Sequence, residues 1–89
     1  MIYRNSFSLN GNTATINTQQ VNDLPRASEH RFIVAGPGRV VIRYKVDGLT
    51  RPVALPELSA GQQLLKVGAI TEFAITATGI VELQIQGIA

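Results

Sequence analysis

Residues 70–86 have the sequence ITEFAITATGIVELQIQ, and this stretch decides the fold. On both sides of residues 77–79 (Ala-Thr-Gly), apolar and polar side chains alternate with the period of two that is typical of a half-buried β-strand. A three-residue loop with glycine in the last, left-handed position would pair Phe73 with Leu83 across an antiparallel hairpin. The stretch therefore predicts two strands that share one apolar and one polar face.

The same alternation recurs along the whole chain. It predicts eight strands, at residues 2–9, 13–18, 30–35, 39–46, 49–55, 62–67, 70–76 and 80–86. Two longer connections, residues 19–29 and 56–61, would cross between sheets or cap an open end, and either has room for a short helical turn. Eight short strands separated by turn residues indicate a single all-β domain over residues 1–89, a small antiparallel β-sandwich of jelly-roll type.

Turn residues predict how these strands pair. Hairpins are expected at residues 10–11, 36–38, 47–48 and 77–79. In that register Phe32 lies opposite Ile42, and Ile42 lies opposite Val53, so the third, fourth and fifth strands form one three-stranded meander. The predicted core consists of Phe32, Val34, Val40, Ile42, Val53, Phe73, Ile75, Val81, Leu83 and Ile85.

The composition predicts a domain that associates with itself or with a partner. Only 16% of the 89 residues are charged and 45% are hydrophobic, which is too apolar for a disordered chain and low in charge for a soluble monomer. The strand alternation also places some apolar side chains outside the core: Val41, Ala54, Leu64 and Ile80. We expect a dimer or a trimer that covers them.

Residues that could perform catalysis are few and scattered. The six carboxylates form no evident pair, and His30 is the only histidine available as a base. We interpret His30 as a histidine at the rim of the apolar face, opposite Tyr44, either hydrogen-bonded or hydrated. With no cysteine in the chain, a transition-metal site is not expected either. The sequence thus predicts no catalytic residue, cofactor or small-molecule substrate.

One group of charged residues stands out from the otherwise scattered charges of the chain, and it is basic. In the predicted meander four side chains point away from the apolar face: Arg31, Arg39, Arg43 and Lys45. Arg31 would lie opposite Arg43, where like charges repel, with only Glu29 opposite Lys45 to compensate. Phe32 and Tyr44, which could stack on bases, would point the other way, so nucleic acid is not the expected partner. We interpret the row as a protein-binding surface, with a solvated strand face as the alternative.

Three segments carry a resemblance to a known group of proteins. Residues 38–44 (GRVVIRY), 55–62 (LPELSAGQ) and 74–84 (AITATGIVELQ) resemble small virion proteins of tailed phages, including capsid decoration proteins, over residues 30–89. The resemblance implies a homo-oligomer that sits on the outside of a capsid and bridges major capsid subunits. It assigns no role to any single residue.

These observations together predict a non-enzymatic virion structural protein of the decoration type. Two alternatives remain open: a head-to-tail connector or tail component, and a single-stranded nucleic-acid-binding β-barrel that would use the basic row. The first residues lack the apolar core of a secretion signal, and no apolar run approaches the roughly 20 residues of a membrane helix. We therefore expect synthesis in the host cytoplasm, no membrane contact and a final location in the virion.

Overall fold

The structure, a computed structural model, describes residues 2–89, so only Met1 of the predicted domain lies outside the described residues. It contains eight strands: β1 (Tyr3–Asn10), β2 (Thr13–Asn17), β3 (Glu29–Ala35), β4 (Arg39–Val46), β5 (Val53–Ala54), β6 (Gly61–Leu65), β7 (Ile70–Thr78) and β8 (Ile80–Ile88). A short 3-10 helix, Leu24–Arg26, lies in the first long connection. The number of strands and the helical turn match the prediction, but the fifth strand has two residues instead of seven.

The strands form two antiparallel four-stranded sheets. Sheet A has the order β1-β8-β3-β6, and sheet B has the order β2-β7-β4-β5. Apart from β4 and β5, which lie together in sheet B, consecutive strands lie in different sheets, and the resulting strand order is the double Greek key arrangement of a jelly roll. The predicted fold class, an all-β jelly-roll sandwich, is therefore confirmed.

Three of the four predicted hairpins are wrong, because the strands that flank these turns lie in different sheets. We call the turns at residues 10–12, 36–38 and 78–80 the glycine corners. They lie side by side: the Gly11 amide donates to the Gly79 carbonyl at 3.1 Å, and the Gly38 amide donates to the Ile80 carbonyl at 2.7 Å. Gly11, Gly36 and Gly79 have positive φ angles, which glycine adopts without strain. A short glycine loop can fold a strand over as readily as it can close a hairpin.

The predicted inward or outward orientation of the side chains is largely correct, although the partner strands differ from those predicted. Phe73 pairs with Tyr44 and Ile16 rather than with Leu83, yet it still points into the core. The reason is that alternation fixes which face of a strand is apolar, whereas the partner strand is fixed by long-range packing. Nine of the ten predicted core residues are buried.

The tenth predicted core residue, Val53, is 39% exposed, so this prediction is wrong. The loop after β4 is longer than the predicted two residues, and Val53 lies opposite Tyr44 instead of Ile42. Its strand, β5, contains only two residues and forms the margin of sheet B. No strand of the described chain covers that margin, so Val53 remains accessible.

The glycine corners give a prediction about stability. A Cβ atom at Gly38 would lie 2.6 Å from the carbonyl oxygens of both Ile80 and Thr78, which are backbone atoms that cannot rotate away. We expect Gly38→Ala to lower the free energy of unfolding by about 1 to 3 kcal/mol, as overpacking does. Urea unfolding measures this effect. Gly68→Ala is the control, because its nearest neighbour would be an oxygen at 3.8 Å, and an equal loss in both variants would contradict the prediction.

Candidate functional site: two sheet faces and an open edge

The predicted basic row is divided between the two sides of the molecule. Arg31 lies on the outer face of sheet A, between Gln86 and Leu64. The other three members, Arg39, Arg43 and Lys45, lie on β4 in sheet B. Arg31 therefore does not face Arg43, and the single basic surface that the predicted meander implied does not exist. The predicted surface is wrong because the turn at residues 36–38 connects the two sheets, whereas the sequence predicted a hairpin within one sheet.

Two members of the row have acidic partners. Arg39 Nη1 lies 3.3 Å from Glu57 Oε1, and Lys45 Nζ lies 3.7 Å from Glu72 Oε1. Lys45 was expected to face Glu29, but β4 pairs with β7 and brings Glu72 opposite it. All four side chains are partly exposed, so these pairs add little stability. Their effect is to neutralise the two ends of the β4 face.

Arg43 lies between these pairs on the outer face of sheet B, and within residues 2–89 no carboxylate lies within ion-pair distance of it. Its cross-strand neighbours are two alanines, Ala74 on β7 and Ala54 on β5. The remainder of the outer face carries mainly small uncharged side chains: Thr13, Thr15, Val41, Thr76 and Thr78. The two residues directly opposite Arg43 are thus small, and the acidic residue diagonally across from it on this face, Glu72, pairs with Lys45.

The outer face of sheet A carries an acidic side chain, Glu82, that has no basic partner in the described chain, and the sequence did not predict its isolation. Glu82 on β8 lies between Ser8 and Ala35, both small. It lines a shallow cleft of about 200 Å³ together with Ser6, Phe7, Ser8, Ile33, Ala35, Leu83 and Gln84. No basic group of the described chain forms an ion pair with Glu82. Strand alternation placed Glu82 outward, but its isolation depends on cross-strand partners that only the topology defines.

A third surface, which we call the open edge, consists of β5, β6 and the 47–52 loop that leads into β5. Both strands lie at the margins of their sheets. Three of the four large apolar side chains that are exposed in the described chain lie here: Leu49 (57%), Val53 and Leu64 (42%). A second cleft of about 210 Å³, lined by Val34 and residues 57–63, lies beside β6. The opposite margin, formed by β1 and β2, has no exposed large apolar side chain among its described residues.

His30 is fully buried, so its predicted position at a rim opposite Tyr44 is wrong. In sheet A it pairs with Gly87 and Leu65, and its Nδ1 lies 2.7 Å from the Tyr3 hydroxyl. Burial lowers the pKa of His30 from 6.5 to about 4 and raises the pKa of Tyr3, so the imidazole is neutral at pH 7 and the phenol keeps its proton. The sequence alternation already indicated that His30 is buried, because it lies two residues from the buried Phe32 and so points to the same face of β3.

The Tyr3–His30 pair is part of the core. The Tyr3 ring lies against the Cα of Gly87, where a Cβ atom would overlap it. His30 Nε2 has no hydrogen-bond partner in the described chain, and its ring contacts Phe73 edge to face at a centroid distance of 5.0 Å. The pair is closed to a substrate, and its contribution is to connect β1 with β3 across Gly87 of β8.

The described residues show neither a metal site nor a membrane-spanning helix. Across residues 2–89, no three His, Cys, Asp or Glu side chains come together as metal ligands would. The described chain also has no helix of sufficient length and apolarity to cross a membrane. Comparison with family models, curated proteins and solved structures gave no match. The function must therefore be argued from the three surfaces.

Proposed function

We infer that this protein is a non-enzymatic structural component of a tailed-phage virion, which binds the outside of the capsid as a decoration protein. The observation that carries the proposal is the open edge, where exposed apolar side chains lie on or beside two strands whose outer margins are unpaired in the described chain. The jelly-roll topology supports it, because viral capsid domains commonly have this fold. The sequence resemblance over residues 30–89 points to the same group.

The open edge has the chemistry of a strand-docking site. A strand at a sheet margin presents unpaired N–H and C=O groups, which an extended segment of a partner can pair with. Leu64 on β6 points to the outer face of sheet A and lies directly opposite Arg31. Arg31 therefore remains a predicted partner contact, next to the docking strand. In this proposal a coat-protein segment pairs with β6 and covers Leu64, while the 47–52 loop contributes Leu49.

The test is co-sedimentation of the purified protein with empty tailed-phage capsids assembled from the coat protein of the same genome. We expect saturable binding, which Leu49→Asp combined with Leu64→Asp weakens by about tenfold or more, because each buried leucine contributes about 1.5 to 3 kcal/mol. Ile80→Asp is the matched control. It replaces a side chain that is 60% exposed, but at the glycine corners rather than at the open edge.

Four outcomes would count against the proposal. Absence of binding to any form of the capsid contradicts it, and so does equal weakening by the edge variants and the Ile80 control. Binding confined to the portal vertex or the tail would favour the connector alternative. Submicromolar binding to single-stranded DNA at about 150 mM salt, where exposed charges are screened beyond about 8 Å, would favour the nucleic-acid alternative. The division of the basic row removes the main support for that last function.

A further inference from the structure

We propose that a second copy of this chain stacks front to back on the first, with Arg43 of one copy entering the cleft that contains Glu82 of the next. The contact joins the outer face of sheet B of one copy to the outer face of sheet A of the next. It involves neither the open edge nor capsid binding.

Arg43 has the properties of a protruding anchor. It is exposed on the outer face of sheet B, and the side chains beside it across the sheet are Ala54 and Ala74. The other basic residues of that face, Arg39 and Lys45, already have acidic partners. Arg43 is thus the cation of this face that remains available to a carboxylate outside the described chain. Arginine is enriched among residues that dominate binding energy at protein interfaces.

Glu82 has the properties of the matching receptor. Small residues flank it as well, Ser8 on one side and Ala35 on the other, and together they leave the 200 Å³ cleft above β8. The carboxylate accepts hydrogen bonds only, and it has no donor among residues 2–89. An arginine fork that approaches from outside could bind it in a bidentate geometry. The cleft would accommodate the side chain that carries the fork.

The two faces offer complementary unpaired charges. Within residues 2–89, Arg43 faces outward on sheet B without an acidic partner, and Glu82 faces outward on sheet A without a basic one. The cations of the sheet A face, Arg4 and Arg31, lie opposite Gln86, four residues along β8 from Glu82. The principal extents of the molecule, 33 × 27 × 21 Å, allow a contact near the roughly 800 Å² per partner that a stable interface buries. A two-fold contact between two sheet B faces would instead offer Arg43 carboxylates that already have basic partners, Glu57 and Glu72.

This contact joins unlike faces, so it differs from the dimer or trimer expected from the sequence. Because the two faces lie on opposite sides of the sandwich, the contact leaves one free face on each terminal copy, and assembly continues into an open stack. The average mass should therefore increase steadily with protein concentration. A contact between like faces would end at the dimer.

The test uses charge reversal on each face. Arg43→Glu alone places two acidic groups in the contact, and Glu82→Arg alone places two basic groups there. We expect each variant to be monomeric by sedimentation velocity at tens of micromolar, with the dissociation constant raised by at least about tenfold. An equimolar mixture of the two variants should associate again, because every contact between unlike copies joins one acidic and one basic group. Association that decreases with added salt would accompany this recovery.

Matched controls carry the same charge changes on the 47–52 loop: Arg51→Glu and Asp47→Arg should associate as the unaltered protein does. Circular dichroism checks that each variant is folded, and Arg43→Gln and Glu82→Gln provide milder replacements that should also weaken association. The proposal is overturned if the unaltered protein is monomeric at these concentrations. It is equally overturned if either reversed variant still associates alone, or if the mixture remains monomeric.

Discussion

Phe73→Ala is expected to lower the free energy of unfolding by about 3 to 5 kcal/mol, a large part of the stability of a domain of this size. Phe73 has no exposed surface and lies on β7, between β2 and β4. Its ring packs edge to face on Phe32 at a centroid distance of 5.6 Å and also contacts His30. Alanine would leave a cavity where both sheets meet. Urea unfolding monitored by circular dichroism measures the loss.

Phe7→Ala is the control for this experiment. Phe7 lies on β1, at the margin of sheet A, and is only partly buried. Its removal should cost clearly less than that of Phe73, because neighbouring side chains and water can fill the space. An equal loss at both positions would show that the centre of the core does not lie at Phe73.

Acidification from pH 7 to pH 4 is expected to lower the free energy of unfolding by up to about 3 kcal/mol through His30 alone. Burial lowers the pKa of His30 to about 4, whereas in the unfolded chain it returns to about 6.5. Between these values the unfolded state binds a proton that the folded state does not. The contribution is therefore fully present above pH 6.5 and is lost as the pH falls towards 4.

This pH dependence has a clear assignment, because His30 is the only histidine of the chain. The slope between pH 6.5 and 5 is assigned to the imidazole by comparison with a variant that lacks it. His30→Phe should be less stable at pH 7, since Tyr3 loses its hydrogen-bond partner, but its stability should be nearly flat over the interval. A slope that persists in this variant would contradict the assignment.

The sequence predicted the fold class because alternation determines which side chains face inward. Phe32, Ile42, Phe73 and Leu83 are all buried as predicted. Phe32, Phe73 and Leu83 nevertheless pair with strands other than those expected, and β4, which carries Ile42, pairs with β7 instead of β3 while keeping its expected partner β5. Pairing was predicted from turns, and turn chemistry is local. Whether the 36–38 turn closes a hairpin or folds the chain into the other sheet depends on contacts with Ile80, which is over 40 positions away.

The candidate surfaces were predictable in part for the same reason. The outward direction of Arg39, Arg43 and Lys45 follows from one strand, and the structure agrees with it. Their grouping with Arg31 required the correct partner for β4, and it failed. The isolation of Glu82 also depends on the neighbouring strands, because Ser8 is 74 residues from it in sequence and Ala35 is 47 residues from it. A pattern of residues close together in the sequence therefore does not predict that Glu82 is isolated.

The central positions of β7 and β8 affect the order in which the molecule can be built during synthesis. β8 lies between β1 and β3, and β7 lies between β2 and β4. Until the ribosome has released residues 70–88, β1 and β2 have no strand to pair with, and β3 and β4 have only the shorter strands β6 and β5. Folding must then wait for contacts that span much of the chain, which places it in the slow range of milliseconds to seconds typical of β-sandwiches. During that delay the nascent first half is exposed to aggregation.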